Sequence, residues 1–331
     1  MATIHNYSYK PNIILFLMGD EREDTTFTFG FELEVVYHGD NLSRFIENEM
    51  EQKCRELFGT NYTQKNLLYF KKDGSIGSNG FEIVSQPMSF QWFLEHKIQF
   101  KELLDYLSAN ECDSHENAMC GLHFHIGNKR LEKNRLNSMD TRNRGEQLNL
   151  VATNMDMIIN FFKNELLIVS RRKKEQLRWA RFSDEDTTTN ASDFKDKETV
   201  YKESKQFVNR ALKSEVHSLR YRALNIVNTS TLEFRLLRGT LNYKTFYISF
   251  NLINNLAKFS CCESKAVSWD TLFYSGLDEE MKEYAKEYFT KQQSYKRNEN
   301  RPLRKGAIFT KSNKAVDAMI LNRKLEEMGL M

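Results

Sequence analysis

Phe29-Gly30-Phe31-Glu32-Leu33-Glu34-Val35-Val36 alternates apolar and polar side chains with a period of two. As a strand it puts Phe29, Phe31, Leu33 and Val35 on one face and Gly30, Glu32 and Glu34 on the other. Neighbouring carboxylates on a short strand repel each other, and a merely solvated face carries Thr, Lys or Ser at lower cost. The pair becomes favourable when a divalent cation sits between the carboxylates. A single Glu-x-Glu is equally compatible with plain exposure, so its weight comes from repetition elsewhere in the chain.

Three later stretches repeat the arrangement. In Phe81-Glu82-Ile83, Glu82 projects opposite its two apolar neighbours. Cys120-Gly121-Leu122-His123-Phe124-His125-Ile126-Gly127 sets Leu122, Phe124 and Ile126 on one face and His123 and His125 on the other. Two histidines two apart on a strand point to a metal or phosphate contact, and the flanking glycines allow another group to approach closely. Thr231 to Thr240 sets Leu232, Phe234 and Leu236 against Glu233 and Arg235.

A chain of 331 residues forms one large domain or two, with a substantial core either way. With 40% hydrophobic and 28% charged residues, the composition is that of an ordinary globular protein. A net charge of +3 does not imply nucleic acid as the partner, although it does not exclude it. The cysteines, Cys54, Cys112, Cys120, Cys261 and Cys262, form neither a zinc spacing nor a disulfide framework. Together with the lack of a signal peptide they lead to the expectation of a reducing cytoplasm. The longest apolar run, Ile13 to Met18, is far too short to span a membrane.

Taken in order, the chain predicts a strand over Asn12–Met18, the acidic turn Asp20–Asp24 and then the glutamate-bearing strand. Leu42–Phe58 reads as an amphipathic helix. Strands follow at Leu67–Lys71 and Phe81–Ser85, joined by a Gly-rich loop in which Asp73 serves either the turn or a ligand. Phe90–Leu107 reads as a helix with Trp92, Phe93, Ile98, Leu103 and Leu107 in the core. Leu148–Val169 is a strongly apolar helix that runs into Ser170-Arg171-Arg172-Lys173-Lys174. Residues 183–206 read as a mobile surface loop or lid. Tyr243–Ala257, Glu279–Gln293 and Lys314–Met328 read as helices, with a basic segment over 296–314 that reads as a solvated charge run.

Four strands sharing an apolar face call for helices to cover it, an α+β layering. Their other faces then gather Glu32, Glu34, Glu82, His123, His125, Glu233 and Arg235. Four carboxylates with one or two imidazoles favour Mg²⁺ or Mn²⁺ over zinc. Arginines beside a carboxylate-held metal supply the parts for phosphoryl chemistry. No Walker-type, dinucleotide or kinase loop is present, so a nucleotide has to be held by the sheet itself.

Gly30-Phe31-Glu32-Leu33-Glu34, Lys72-Asp73-Gly74-Ser75-Ile76, Gly80–Ser85, Cys120–Ile126, Arg220-Tyr221-Arg222-Ala223-Leu224-Asn225 and Glu233-Phe234-Arg235 occur in the order seen in the amidoligase family. The chain resembles that family from about residue 7 to about residue 260, and members are common in phages and bacteria. The resemblance implies a glutamine-synthetase-like fold, an antiparallel sheet curved like half a barrel with helices on its convex face. It also implies a catalytic domain over residues 1–262 and a helical C-terminal extension, 263–331, packed on it.

The implied activity is ATP-dependent carboxylate–amine ligation, in which an acid is phosphorylated to an acyl phosphate and an amine displaces the phosphate. On that resemblance Glu32, Glu34, Glu82, Glu233 and His123 are metal ligands. His123 and His125 contact metal or nucleotide phosphate. Arg235, with Arg220 or Arg222, neutralises the transferred phosphoryl group. Asp73 orients the substrate or the attacking amine, and Arg171 lies near the substrate carboxylate. The acid and amine stay open: an amino acid, a peptide, a protein side chain or a modified nucleobase. Two other readings keep the fold, namely a phosphagen-kinase-like phosphotransferase and a non-catalytic binding or structural protein. A metal-dependent amidohydrolase fits less well, because only His217 follows the His123-x-His125 pair.

Overall fold

The computed structural model describes residues 4–22, 25–59, 66–115, 119–128, 144–182, 195–213, 217–261 and 266–311. The period-two stretches become the strands of one antiparallel sheet. Its members are β1 (Thr28–Tyr37), β2 (Leu68–Lys72), β3 (Gly80–Ser85), β4 (Met88–Ser89), β5 (Cys112–Asp113), β6 (Gly121–Gly127), β7 (Leu224–Asn225) and β8 (Thr231–Arg238). The order is β2-β3-β1-β6-β8-β7, with β4 and β5 pairing opposite ends of β1. The sheet stays open, with β2 and β7 at its edges. Residue 5 bridges to Lys71 along the outer side of β2.

The apolar face is covered by helices. Phe29, Phe31, Leu33, Val35, Leu122, Phe124, Ile126, Leu232 and Phe234 are all buried. Against them lies the helix Tyr243–Cys261, buried at every position from Thr245 to Ala257. Phe250 meets the rings of Phe29, Phe124 and Phe93 at 5.4, 5.1 and 4.7 Å, and Phe246 meets Phe31 at 5.2 Å. These are offset and edge-on contacts, the favoured arrangement for aromatic pairs. Residues of the C-terminal part, Val267, Trp269, Phe273, Met281, Phe289 and Ile308, belong to the same core cluster.

Several expectations need correction. Asn12–Met18 forms no strand: Phe16 makes an isolated bridge to Met88, and Ile13 is exposed. Both long edges of β1 are taken by β3 and β6, which leaves only the two-residue β4 to pair with. The helix over 42–58 holds a π stretch, Phe45–Met50, between Leu42–Arg44 and Glu51–Phe58. Phe90–Leu107 is broken at His96, whose Nδ1 lies 2.8 Å from the Trp92 carbonyl, giving helices Phe90–Glu95 and Lys97–Ala109. The second helix turns Phe100, Leu103, Leu104 and Leu107 inward, so Ile98 is 64% exposed instead of core. Leu148–Val169 likewise divides at Phe162 into Arg144–Phe161 and Lys163–Ser170.

The reading of 183–206 as a loop fails for its second half. Lys197–Lys213 is a helix, and Val200, Tyr201, Ser204, Phe207, Val208 and Ala211 are buried at helical spacing. Asp196 opens it, accepting from the N–H groups of Glu198 and Thr199 at 2.9 Å each. Residues 183–194, Glu23, Asp24, Cys262 and the expected helix Lys314–Met328 lie outside the described residues. The C-terminal part also holds a two-stranded ribbon, β9 (Ala266–Ser268) with β10 (Ala307–Phe309), that no sequence signal announces. Among the described residues no helix is long and apolar enough to cross a membrane.

Phe250 sits where sheet and helices meet, so Phe250→Ala is expected to destabilise the fold by about 3–5 kcal/mol. Denaturant unfolding followed by tryptophan fluorescence checks this. A loss well under 1 kcal/mol would mean that this ring is not central to the core.

Candidate functional site

Register carries the polar side chains of separate strands into one patch. Across β2, β3 and β1, Lys71 stands opposite Glu82 and Glu82 opposite Glu34. Between β1 and β6, Glu32 stands opposite His123. Farther along, Gly30, His125, Glu233 and Asn225 form a row across β1, β6, β8 and β7. Gly30 leaves space beside His125 that a side chain would fill.

A register shift between Leu122 and Phe124 marks a bulge in the β6–β8 pairing, where Arg235 and Leu236 together oppose His123. The buried guanidinium of Arg172 satisfies the carbonyls there, donating to Leu236 O at 2.9 Å and to Arg235 O and Leu237 O at 3.1 Å each. Gly121 lies beside it and donates its N–H to Glu34 Oε2. A Cβ at Gly121 would stand 2.7 Å from His123 Nε2 and 2.8 Å from Arg172 Nη2, so a side chain there would displace one or both of these groups.

The carboxylates fall into two groups of potential ligands, each with its ligand atoms within 4.8 Å of one another: Glu32, His123 and Glu233, then Glu34, Asp73 and Glu82. All but Glu32 are buried. In the first group His123 Nδ1 is 3.7 Å from both Glu32 Oε2 and Glu233 Oε1. Glu233 accepts from Asn225 at 2.7 Å and Asn228 at 3.1 Å through Oε2, and its Oε1 meets Arg235 Nη1. In the second group Asp73 accepts from Ser75 N–H at 2.8 Å, and Lys71 Nζ stands 3.1 Å from Glu82 Oε2. That oxygen has no partner in hydrogen-bonding geometry. A donor set of carboxylate oxygens with one imidazole fits hard divalent cations.

The electrostatics of the two groups differ. Burial pushes the Glu32 carboxyl up, but His125 and His123 outweigh it and hold the group well below the usual carboxylate range. Burial raises Glu233 too, and His125, Arg235 and His123 together bring it down. His125 is drawn down by burial and lifted further by Glu32 and Glu233, so it ends above the ordinary histidine range. Glu82 has the opposite fate. Burial, then the negative charge of Glu32, raise it to about 7 despite Lys71.

Glu32, His123, Glu34, Asp73 and Glu82 line a cavity of about 340 Å³ whose walls include Arg172, Arg220, Arg235, Trp179, Tyr221 and Tyr7. A larger groove of about 790 Å³, walled by Lys97, Tyr243, Tyr247 and Lys244, holds neither carboxylate group. Glu32, Glu34, Asp73, Glu82, His123, Arg220 and Arg235 therefore share one cavity, and Glu233 sits against its His123 and Arg235.

Three expected site residues are not brought there. His125 lies behind Glu32, with Nε2 3.5 Å from Glu32 Oε1 and Nδ1 3.2 Å from Thr231 Oγ1. Arg222 is buried with its guanidinium 4.1 Å from the Phe207 ring centroid, and its charge acts on buried Asp156. Arg171 takes a left-handed backbone, φ 60°, as it ends its helix, and donates to the carbonyls of Arg238 and Gly239. That turn sends the next residue, Arg172, into the cavity instead. Arg172 and Lys71 were not singled out from the sequence, because one depends on this turn and the other on strand register.

No family model matches the chain, and no curated protein matches it. Among solved structures it is similar to a bifunctional glutathione synthetase from Pasteurella multocida, at 11% identity with a TM-score of 0.36. The match covers 91% of this chain and 48% of the other, so the chain spans about half of that protein's length.

A carboxyl group raised by the fold binds its proton more tightly folded than unfolded. Stability contributed by Glu82 in the metal-free protein therefore falls as pH rises from 4.5 to about 7, and raised His125 acts in the same direction above 6.5. A cation on Glu82 competes with that proton. Mg²⁺ affinity is expected to climb by up to about ten-fold per pH unit and to level off above about 7, with Glu82→Gln removing the climb. Calorimetric titration over a pH series tests this, and a flat profile for the unaltered protein would contradict it.

Proposed function

We propose that this chain is an ATP-dependent carboxylate–amine ligase that works through an acyl phosphate. The observation that carries the reading is the convergence of Glu32, His123, Glu34, Asp73 and Glu82 in a cavity walled by Arg172, Arg220 and Arg235, with buried Glu233 completing the first group against His123 and Arg235. Buried carboxylates this close are unfavourable alone and become complementary to cations bridged by phosphate. Bound Mg²⁺ or Mn²⁺ would neutralise charge on the phosphate oxygens.

The protein's own side chains then have separate tasks. Glu32, His123 and Glu233 would hold one cation, and Glu34 and Glu82 the other. Arg235 and Arg220 meet the transferred phosphoryl group as an oxygen of the acid attacks the γ-phosphorus and ADP leaves. Arg172 replaces Arg171 as the arginine facing the acid. Asp73, fixed by the Ser75 N–H, would orient the amine that displaces phosphate from the acyl carbon. His125 acts indirectly, by keeping Glu32 ionised. Residues 266–311 share the core of the sheet and are assigned to the same catalytic unit.

The test joins binding to turnover. Glu32→Gln and Glu233→Gln are each expected to weaken MgATP binding by on the order of ten-fold or more. Phosphate release by the unaltered protein should require both an acid and an amine. Transfer of phosphate to a single acceptor would make the protein a kinase, and equal MgATP affinity in all three proteins would remove the site.

A further inference from the structure

The segment from Tyr295 to Lys305 carries five cations, Lys296, Arg297, Arg301, Arg304 and Lys305, against one carboxylate, Glu299. Its net charge of +4 exceeds the +3 of the whole chain, so the remaining residues sum to −1. The average charge conceals a local concentration.

Its charged side chains Lys296, Arg297 and Lys305 are exposed, but buried side chains of the fold hold its backbone in place. Asn164 donates to Pro302 O at 2.8 Å, and Glu165 accepts the Arg304 N–H. Buried Asn298 donates to Gln292 O at 2.7 Å. Farther along, Asn154 both donates to Lys311 O and accepts from Lys311 N–H, at 3.0 Å each. Of the five cations Arg304 feels Glu165, and beyond the segment Lys311 is 3.7 Å from Glu198. Lys296, Arg297, Arg301 and Lys305 pair with no carboxylate among the described residues. Arg297 is drawn down by burial and again by the positive charge of Arg171, and Arg301 by burial and by Arg297. Arg297 and Arg301 donate to the neutral acceptors Gln292 Oε1 and Asn298 Oδ1 at 3.0 Å each, so their charges stay available to an anion.

The same segment exposes aromatic and apolar surface. Of the eight large hydrophobic side chains exposed among the described residues, Tyr295, Leu303 and Phe309 lie on it or just beyond it. Arg297 rests over the Tyr295 ring, 4.8 Å from its centroid, and Tyr295 as a residue is 42% exposed. Cations on a fixed irregular backbone beside an exposed ring match a phosphate chain whose bases are free to stack.

We propose that Tyr295–Lys305 is a docking surface for single-stranded nucleic acid, with Lys296, Arg297, Arg301 and Lys305 meeting phosphates and Tyr295 taking a stacked base. The proposal is independent of the chemistry in the cavity, since binding is read without ATP, acid or amine.

The test uses the full chain and a fluorescently labelled, mixed-sequence single-stranded RNA of about 20 nucleotides, followed by anisotropy over a salt series. Four phosphate contacts predict a slope of log K against log salt of about −2.8. The double variant Arg297→Gln, Arg301→Gln should make that slope shallower by about 1.4. Tyr295→Leu should weaken binding by about five-fold or more with the slope unchanged. A control pair elsewhere, Lys53→Gln with Lys101→Gln, should change neither. A slope near zero for the unaltered protein overturns the proposal without any variant. So does an unchanged slope in the folded double variant, or equal affinity for polyglutamate of matching length, which would make this a site for acidic proteins.

Discussion

Mutual repulsion among carboxylates held on one face of a sheet is the constraint that the rest of this structure answers. Glu34, Glu82, Glu233 and Asp73 are buried, with Glu32 at the rim. Buried charges are tolerated only when paired and hydrogen-bonded. Each carboxylate has a charged or hydrogen-bonding neighbour: the Lys71 ammonium for Glu82, Arg235 and two asparagines for Glu233, the Gly121 N–H for Glu34, the Ser75 N–H for Asp73 and the nearby histidines for Glu32. The compensation is uneven. The carboxylates of the Glu32–Glu233 pair are held ionised by the neighbouring histidines and Arg235, whereas Glu82 is pushed toward the proton. One half is thus ready for a cation at neutral pH, and the other must exchange a proton for it.

Such a surface has to be rigid, and the opposite face of the sheet supplies the rigidity. The residues that alternate with the carboxylates on β1, Phe31 and Leu33, are buried against an aromatic layer built around Phe246 and Phe250. A slip of register by one residue would send the glutamates into that layer and the phenylalanines into the cavity. The hydrophobic core therefore fixes the position of the charges, and the charges leave register no alternative.

This two-sided logic explains what was legible in the sequence. Alternation is local, so the faces of β1, β6 and β8 follow from Phe31-Glu32-Leu33, Leu122-His123-Phe124 and Leu232-Glu233-Phe234 alone. What depends on pairing is not local. Nothing in Leu68–Lys72 says that Lys71 meets Glu82, and nothing in Ala266–Ser268 says that Ala307–Phe309 pairs with it. Backbone turns also escaped. The left-handed residue Arg171 exchanges the roles of two adjacent arginines, and the break at His96 moves Ile98 from core to solvent. The Lys197–Lys213 helix was hidden by its charged face, although Asp196 and the spacing of Val200, Tyr201, Phe207 and Val208 carried the signal.

Arg172 shows why geometry and charge cannot be separated here. Its hydrogen bonds go to three carbonyls at the β8 bulge, next to Arg235, which lines the cavity and pairs with Glu233. Burial, offset by Glu34 and reinforced by Arg235 and Arg238, brings its pKa down to about 10, so it stays protonated at neutral pH. Lysine would keep the positive charge but not the planar fork that reaches several carbonyls at once. A neutral side chain would leave the bulge carbonyls unsatisfied and deprive Glu34 of a nearby cation. The residue that shapes the strand is thus also one that offsets the charge displayed on the sheet, which makes the bulge part of the site's electrostatics as well as of its backbone.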